Sequence, residues 1–253
     1  MIGLKSEREL ALMREAGGIL AKVMEELGGK IEPGIKTLEL DHIAEGLIKK
    51  LGARPAFKDY KGYPASICVS VNETIVHGIP GPRVLNNGDI VSLDAGVELK
   101  GYFSDMARTY PVGDIDEESK KLIDAADIAL QKAIEAAVAG NRVFDISHAI
   151  QTFVESRGFN VIRDFVGHGI GARLHEPPEI PNFGQPNIGE KLEDGMVLAI
   201  EPMISAGGYE LEILEDGWTA VTKDGSRVAH FEDTIAVTDG KPEVLTLCQR
   251  KNR

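Results

Sequence analysis

Asp94 and Asp105 are acids in apolar company. Asp94 closes the run IVSLD, and Asp105 follows eleven residues later, across the turn signal Lys100-Gly101. Strand cores exclude unpaired acids, because stripping water from a charge is costly. Glu201 after MVLAI and Glu232 in AHFEDTIAV repeat the anomaly further along the chain. Four semi-buried carboxylates facing one another repel and take up protons unless cations neutralise them. A pair of divalent ions does so, with carboxylates bridging them. His168, in FVGHGIG, adds a nitrogen donor. An oxygen-rich set with one imidazole suits Mn, Fe, Co or Zn better than it suits a soft metal. A single such acid is ordinarily a hydrogen-bonded or surface carboxylate. Four of them, strand-borne and related by a repeat, point to a metal centre.

The repeat also defines the elements that must position these groups. LMREAGGIL from Leu12 resembles LIDAADIAL from Leu122, and the segment from Gly34 resembles that from Gly140. VHGI ending at Ile79 echoes GHGI ending at Ile170. LNNGDIVSLD, ending at Asp94, echoes LEDGMVLAIE, ending at Glu201, and DMARTYPVG from Asp105 lies on EDTIAVTDG from Glu232. The same order held throughout predicts two similar halves, about 1–113 and 114–240, within a single catalytic domain, followed by a tail over 241–253. Each half reads helix, helix, strands. Leu10, Met13, Ala16, Gly17 and Leu20 follow a helical stripe, as do Leu38, Ile43, Leu47 and Ile48. Helices are expected again over 122–137 and 146–154, and strands over 66–71, 89–95, 196–201 and 231–237. The expected fold is α+β, with a shared curved antiparallel sheet, helices outside and the metal site in a central cleft.

VNETIVHGIPG, SLDAGVELKGYFSDMARTY, FVGHGIGARLHEPPEIPNFG, LAIEPMIS and HFEDTIAV together resemble the type I methionine aminopeptidase family, of pita-bread fold, from the first helix to about residue 245. The resemblance implies metal ligands at Asp94, Asp105, His168, Glu201 and Glu232, with Asp105 and Glu232 bridging two ions. It places Asp94 on one ion and His168 with Glu201 on the other. It implies His77 beside the scissile amide and His175 on the substrate carbonyl, where it stabilises the oxyanion. A bridging hydroxide would attack the first peptide bond. Glu201 would shuttle its proton to the leaving amine, and the substrate's free amine would bind at the ion carrying Asp94. The methionine pocket corresponds to Phe57, Tyr60, Tyr63, Cys68, Leu174 and Trp218, with His77 at its edge. Two of these depart from the family, which often has cysteine at the Phe57 position and an aromatic or methionine at Leu174. His42 and His148 fall at matching helical positions, where structure accounts for them. His230, two residues before a ligand, is left unassigned.

Composition limits the rivals. The chain has 253 residues, 43% hydrophobic, with 28 basic and 40 acidic residues for a net charge of -12. That balance opposes broad binding of a phosphate backbone, so no nucleic-acid partner is expected. The basic residues Arg250, Lys251 and Arg253 read as a solvated tail. No apolar run spans a bilayer, the start lacks a signal-peptide core, and the widely spaced Cys68 and Cys248 fit a reduced cytoplasm. HEPPE at 175–179 lacks the second histidine of a zincin helix, and Pro177-Pro178 would break one. A prolidase or aminopeptidase P-like enzyme would carry a large additional N-terminal domain, and a non-catalytic relative would have lost ligands. The expected partners are the N-termini of nascent chains with a small second residue, met near the ribosome by a monomeric enzyme.

Overall fold

A computed structural model describes residues 2–247; the expectations placed on Cys248, Arg250, Lys251 and Arg253 lie outside the described residues. Four helices, α1 (Glu7–Gly28), α2 (Thr37–Lys50), α3 (Glu117–Ala136) and α4 (Val143–Ser156), come in two pairs, one per half. Each begins on an acid that takes up orphan backbone donors. Ser6 N–H donates to Glu9 at 2.8 Å, Lys36 N–H to Glu39 at 2.9 Å, Ser119 N–H to Asp116 at 2.7 Å, and Arg142 N–H to Asp145 at 2.7 Å. The stripe expected on α1 is buried throughout. On α2 the buried face is Leu40, Ala44 and Ile48, while Leu38 is exposed. Of the expected stripe, Ile48 is buried and Ile43 and Leu47 pack at the edge of the same core, because α2 offers aliphatic side chains on more than one face.

The first half contributes β1 (Arg54–Pro55), β2 (Ile67–Val71), β3 (Thr74–Val76), β4 (Ile90–Leu99) and β5 (Tyr102–Pro111). The second contributes β6 (Asn160–Val161), β7 (Gly167–Gly169), β8 (Glu176–Ile180), β9 (Val197–Ile200) and β10 (Met203–Ser205), then β11 (Leu211–Ile213), β12 (Ala220–Thr222), β13 (Val228–His230), β14 (Glu232–Ala236) and β15 (Glu243–Val244). Nine strands form one sheet in the order β1-β4-β5-β14-β9-β7-β8, with β2 also on β4 and β15 on β14. Two three-stranded sheets, β13-β10-β6 and β11-β12-β3, flank it. The β4–β5 hairpin closes through Lys100 and Gly101, both at positive φ, as a two-residue turn requires. The halves meet where β5 pairs β14, through the register pairs Glu232–Ala107 and Asp233–Met106.

Strand alternation sorts the two faces of this sheet. Val69, Val91, Leu93, Ala95 and Met106 pack against α1 and α2, and Leu198, Ile200 and Ile235 pack against α3 and α4. The alternate positions, Cys68, Asp94, Asp105, Ala107, Ala199 and Glu232, therefore face inward, away from both helix pairs. Burying the outer aliphatics, at about 25 cal/mol per Å² of apolar surface, holds the sheet against the helices. The same pleat aims every acid of the set the other way.

Candidate metal centre

Across the inner face, Cys68, Asp94, Ala107 and Glu232 lie in one row of directly paired positions. Asp105, two residues before Ala107, joins the row from the same face. Asp94 and Asp105 are thus diagonal neighbours, since Asp94 pairs with Ala107 and Asp105 with Gly96. Glu201 follows the last residue of β9, where one further step of the β9–β14 register sets it opposite Glu232. His168 on β7 pairs with Ala199, two residues before Glu201. Ligand atoms of Asp105, His168 and Glu232 all lie within 4.8 Å of one another. The sheet thus brings the five expected donors together, two from the first half and three from the second.

The electrostatics of the row are those of a cation site. Burial and the neighbouring carboxylates push Asp105, Glu201 and Glu232 well above the usual carboxylate range, and burial raises Asp94 to about 7. Asp94 Oδ1 and Glu232 Oε1 are buried without a hydrogen-bond partner. Orphaned buried acceptors carry a desolvation cost that a divalent ion would remove. The His168 ring is already set for a metal: Nδ1–H donates to the Gly169 carbonyl at 2.9 Å, which leaves Nε2 with its lone pair facing Glu201 Oε1 at 3.7 Å. Burial holds this imidazole neutral, its pKa lowered to about 4. An oxygen-rich donor set with one aligned imidazole fits a hard or borderline divalent ion.

The remaining expected residues gather on one side of the row. Phe57, Tyr63, Cys68 and Leu174 share one buried apolar cluster, with Tyr60 and Trp218 partly buried against it. Tyr63 meets Trp218 edge-on at 5.2 Å, and His77 lies edge-on to Trp218 at 6.1 Å and to Phe165 at 5.4 Å. His77 follows β3 with φ of +59°, whereas its repeat partner His168 sits within a strand of the main sheet. The His175 ring stands 4.3 Å from that of His168 and stacks on Tyr60. Phe57 lies over Gly96, where a Cβ would come within 2.7 Å of its ring.

HEPPE is indeed no helix, since β8 begins at Glu176. His42 and His148 lie on α2 and α4. His230, left unassigned above, is buried with Nε2 unpartnered and 3.8 Å from Glu201 Oε2. Glu201 therefore lies between two imidazoles. Only the two-residue separation from Glu232 hinted at this. Arg108, Thr109 and Thr234, which sequence reasoning did not single out, stitch the seam between the halves. The Arg108 guanidinium donates to the Glu232 carbonyl at 2.5 Å and pairs with Asp233 at 2.7 Å. Thr234 Oγ1 accepts from Asp105 N–H at 2.9 Å, and Thr109 Oγ1 accepts from His230 N–H at 2.8 Å.

The sequence profile of metallopeptidase family M24 matches residues 11–239. Methionine aminopeptidase 1 of Bacillus subtilis is 55% identical over 246 residues, covering 97% of this chain and 99% of its own. Methionine aminopeptidase of Clostridium perfringens is 55% identical over 247 residues, covering 98% and 99%. The crystal structure of methionine aminopeptidase from Thermotoga maritima superposes with a TM-score of 0.96 at 48% identity, over 97% of this chain and 99% of that one.

Proposed function

The chain belongs to metallopeptidase family M24, and from that membership we propose that it is a methionine aminopeptidase, a hydrolase that removes the N-terminal methionine of peptides and proteins. The observation that carries this reading is the inner sheet face. Buried carboxylate oxygens of Asp94 and Glu232 without partners, and an aligned imidazole, adjoin a cluster of thiol, aromatic and aliphatic side chains. Such walls suit a thioether side chain.

Asp94, Asp105, His168, Glu201 and Glu232 would hold two divalent ions of the Mn, Fe, Co or Zn kind, which when bound lower the pKa of water and polarise a carbonyl. Glu201, set between His168 and His230, collects a proton and returns it to the departing amine. His175, kept neutral by desolvation among its packed neighbours and by the adjacent His168, which lower its pKa to about 3, donates from Nε2 to the substrate carbonyl. His77, also lowered by burial, stands beside the scissile amide at the pocket edge. Phe57, Tyr60, Tyr63, Cys68, Leu174 and Trp218 enclose the methionine side chain and exclude water from it. The acidic face suits a free α-amine, so blocked N-termini are refused.

The physiological substrates in this reading are nascent chains with a small second residue, processed in the cytoplasm near the ribosome by a monomer. Among the described residues no helix is long and apolar enough to cross a membrane. Comparable cleavage of Met-Leu and Met-Ala peptides would overturn the small-residue limit.

The direct test uses metal-depleted protein and a Met-Ala-Ser peptide, before and after adding Mn or Co. Methionine release that requires metal, and is absent with the N-acetylated peptide, is expected. No release with any metal, from folded protein, would overturn the reading.

A further inference from the structure

His175 sits on the segment between β7 and β8, and the structure ties that segment to the beginning of the chain. Lys5 Nζ donates to Glu176 Oε2 at 2.8 Å, and the two side chains are only 8% and 12% exposed. The other oxygen, Glu176 Oε1, accepts the Arg173 N–H at 3.0 Å, so this carboxylate closes the turn over residues 173–176 from within. The Lys5 backbone N–H donates to the Gly195 carbonyl at 2.7 Å, just ahead of the strand that leads to Glu201. The Lys5 stem lies on Gly171, where any Cβ would overlap it. Gly171 in turn accepts the Phe103 N–H at 2.9 Å, from the strand that carries Asp105.

A lysine whose side chain is this deeply covered is unusual on a protein surface. Its charge is matched by one carboxylate, and that carboxylate belongs to the residue next to His175. The Tyr60 hydroxyl holds the imidazole of His175 directly at 2.9 Å. Backbone placement of the same residue falls to the β7–β8 pairing of Gly169 with Glu176 and to its own turn, which Glu176 closes and Lys5 neutralises. A shift of about 1 Å in a group that meets the transition state costs on the order of 100-fold in rate.

We propose that Lys5, acting through Glu176, is a positioning residue that fixes the His175 loop for transition-state binding. The inference rests on the role given to His175 above. Its readout is chiefly kcat, because of the methionine-pocket walls named above only Leu174 lies on this turn, where it is anchored in the buried apolar cluster, and the metal donors are held by other contacts.

The test is a double-mutant cycle on metal-loaded enzyme, with kcat and KM measured for Met-Ala-Ser in wild type, Lys5→Met, His175→Ala and the double variant. Lys5→Met is expected to lower kcat about 10- to 100-fold, with KM changed less than about 3-fold, and to add nothing in the His175→Ala background. Lys5→Arg should restore most of the rate. If Lys5→Met folds poorly, Glu176→Gln takes its place, since an amide oxygen still accepts the Arg173 N–H while the ion pair is lost. Equal losses from the Lys5 substitution with and without His175 would overturn the inference and leave the function standing. No loss of kcat on His175→Ala would instead remove the premise, by showing that this histidine has no role in the reaction.

Discussion

The Tyr60 hydroxyl stands 2.9 Å from Nδ1 of His175, with the two rings stacked 5.3 Å apart at 21°. His175 keeps an exposed edge, yet desolvation by its packed neighbours and then the adjacent His168 lower its pKa to about 3, so the imidazole is uncharged at neutral pH. A neutral histidine can donate from Nε2 only in one tautomer. When the Tyr60 O–H donates to Nδ1, the ring proton sits on Nε2, free to meet a developing oxyanion. In that arrangement a residue expected only as a pocket wall also sets a proton position.

Tyr60→Phe keeps the stacked ring and loses that donor. Steady-state kinetics on Met-Ala-Ser should register a fall of roughly 10-fold or more in kcat, the scale of one lost orienting hydrogen bond. KM should change little. An unaltered kcat would mean that the tautomer is fixed by something other than Tyr60.

Removing a carboxylate should separate metal binding from stability. Asp105→Asn retains the Oδ1 that accepts the Met106 N–H at 3.0 Å and relieves repulsion in the row. The metal-free variant is expected to be more stable than metal-free wild type by about 1.4 kcal/mol, the worth of one pKa unit, while turnover disappears and calorimetric Mn binding weakens. Glu232→Ala should likewise abolish turnover with the fold retained. Full activity in either variant would sink the ligand assignment.

Metal-depleted protein should lose stability as pH rises from 6.5 to 8. In the folded state Asp94 is raised to about 7 and Asp105, Glu201 and Glu232 lie well above their ordinary values. In that window the folded chain therefore binds more protons than the unfolded one, and unfolding free energy falls with pH. The lowered histidines act the other way, but their contribution fades above the unfolded value of 6.5, where fewer than half of the unfolded imidazoles hold a proton, and is outweighed by the carboxylates. The slope is about 1.4 kcal/mol per pH unit for each proton. Urea midpoints should trace it, and saturating Mn should abolish it. A midpoint that rises with pH in metal-free protein would contradict the charge arrangement.

The pocket rests on Gly96. Gly96→Ala sets a Cβ within 2.7 Å of the Phe57 ring, which must then shift within the cluster proposed to hold the methionine side chain. Overpacking of this kind costs about 1–3 kcal/mol. KM for methionyl peptides should rise on the order of 10-fold or more, with the smaller norvaline side chain less affected. Equal effects on both substrates would place the damage elsewhere.

Much of this could be read from the residues. The alternation around IVSLD, MVLAIE and FEDTIAV fixes which side chains share a face, and the repeat pairs the acids across the seam. The roles proposed for His77 and His175 come from the family resemblance alone. What escaped notice was long-range and chemically plain. The Lys5–Glu176 pair spans 171 positions, and nothing about a lysine in MIGLKSE marks it as covered. Thr109 and Thr234 are β-branched residues in strands, where threonine is common for reasons of packing alone. His230 lacked a partner in any pattern, because its neighbour Glu201 reaches it only once β9 lies beside β14. On α2 the expected stripe overlaps the buried one at Ile48 and flanks it at Ile43 and Leu47, and only Leu38 falls outside it.

The seam between β5 and β14 has a further meaning. Asp94 and Asp105 come from one side of it, and His168, Glu201 and Glu232 from the other. Cut in the connection between β5 and α3, the chain would yield two fragments, each with a helix pair and part of a sheet, and neither with a complete ion site. Reassembly would then be a binding equilibrium in which a divalent ion joins the fragments, so that the metal's concentration reports on whether the two halves have found each other.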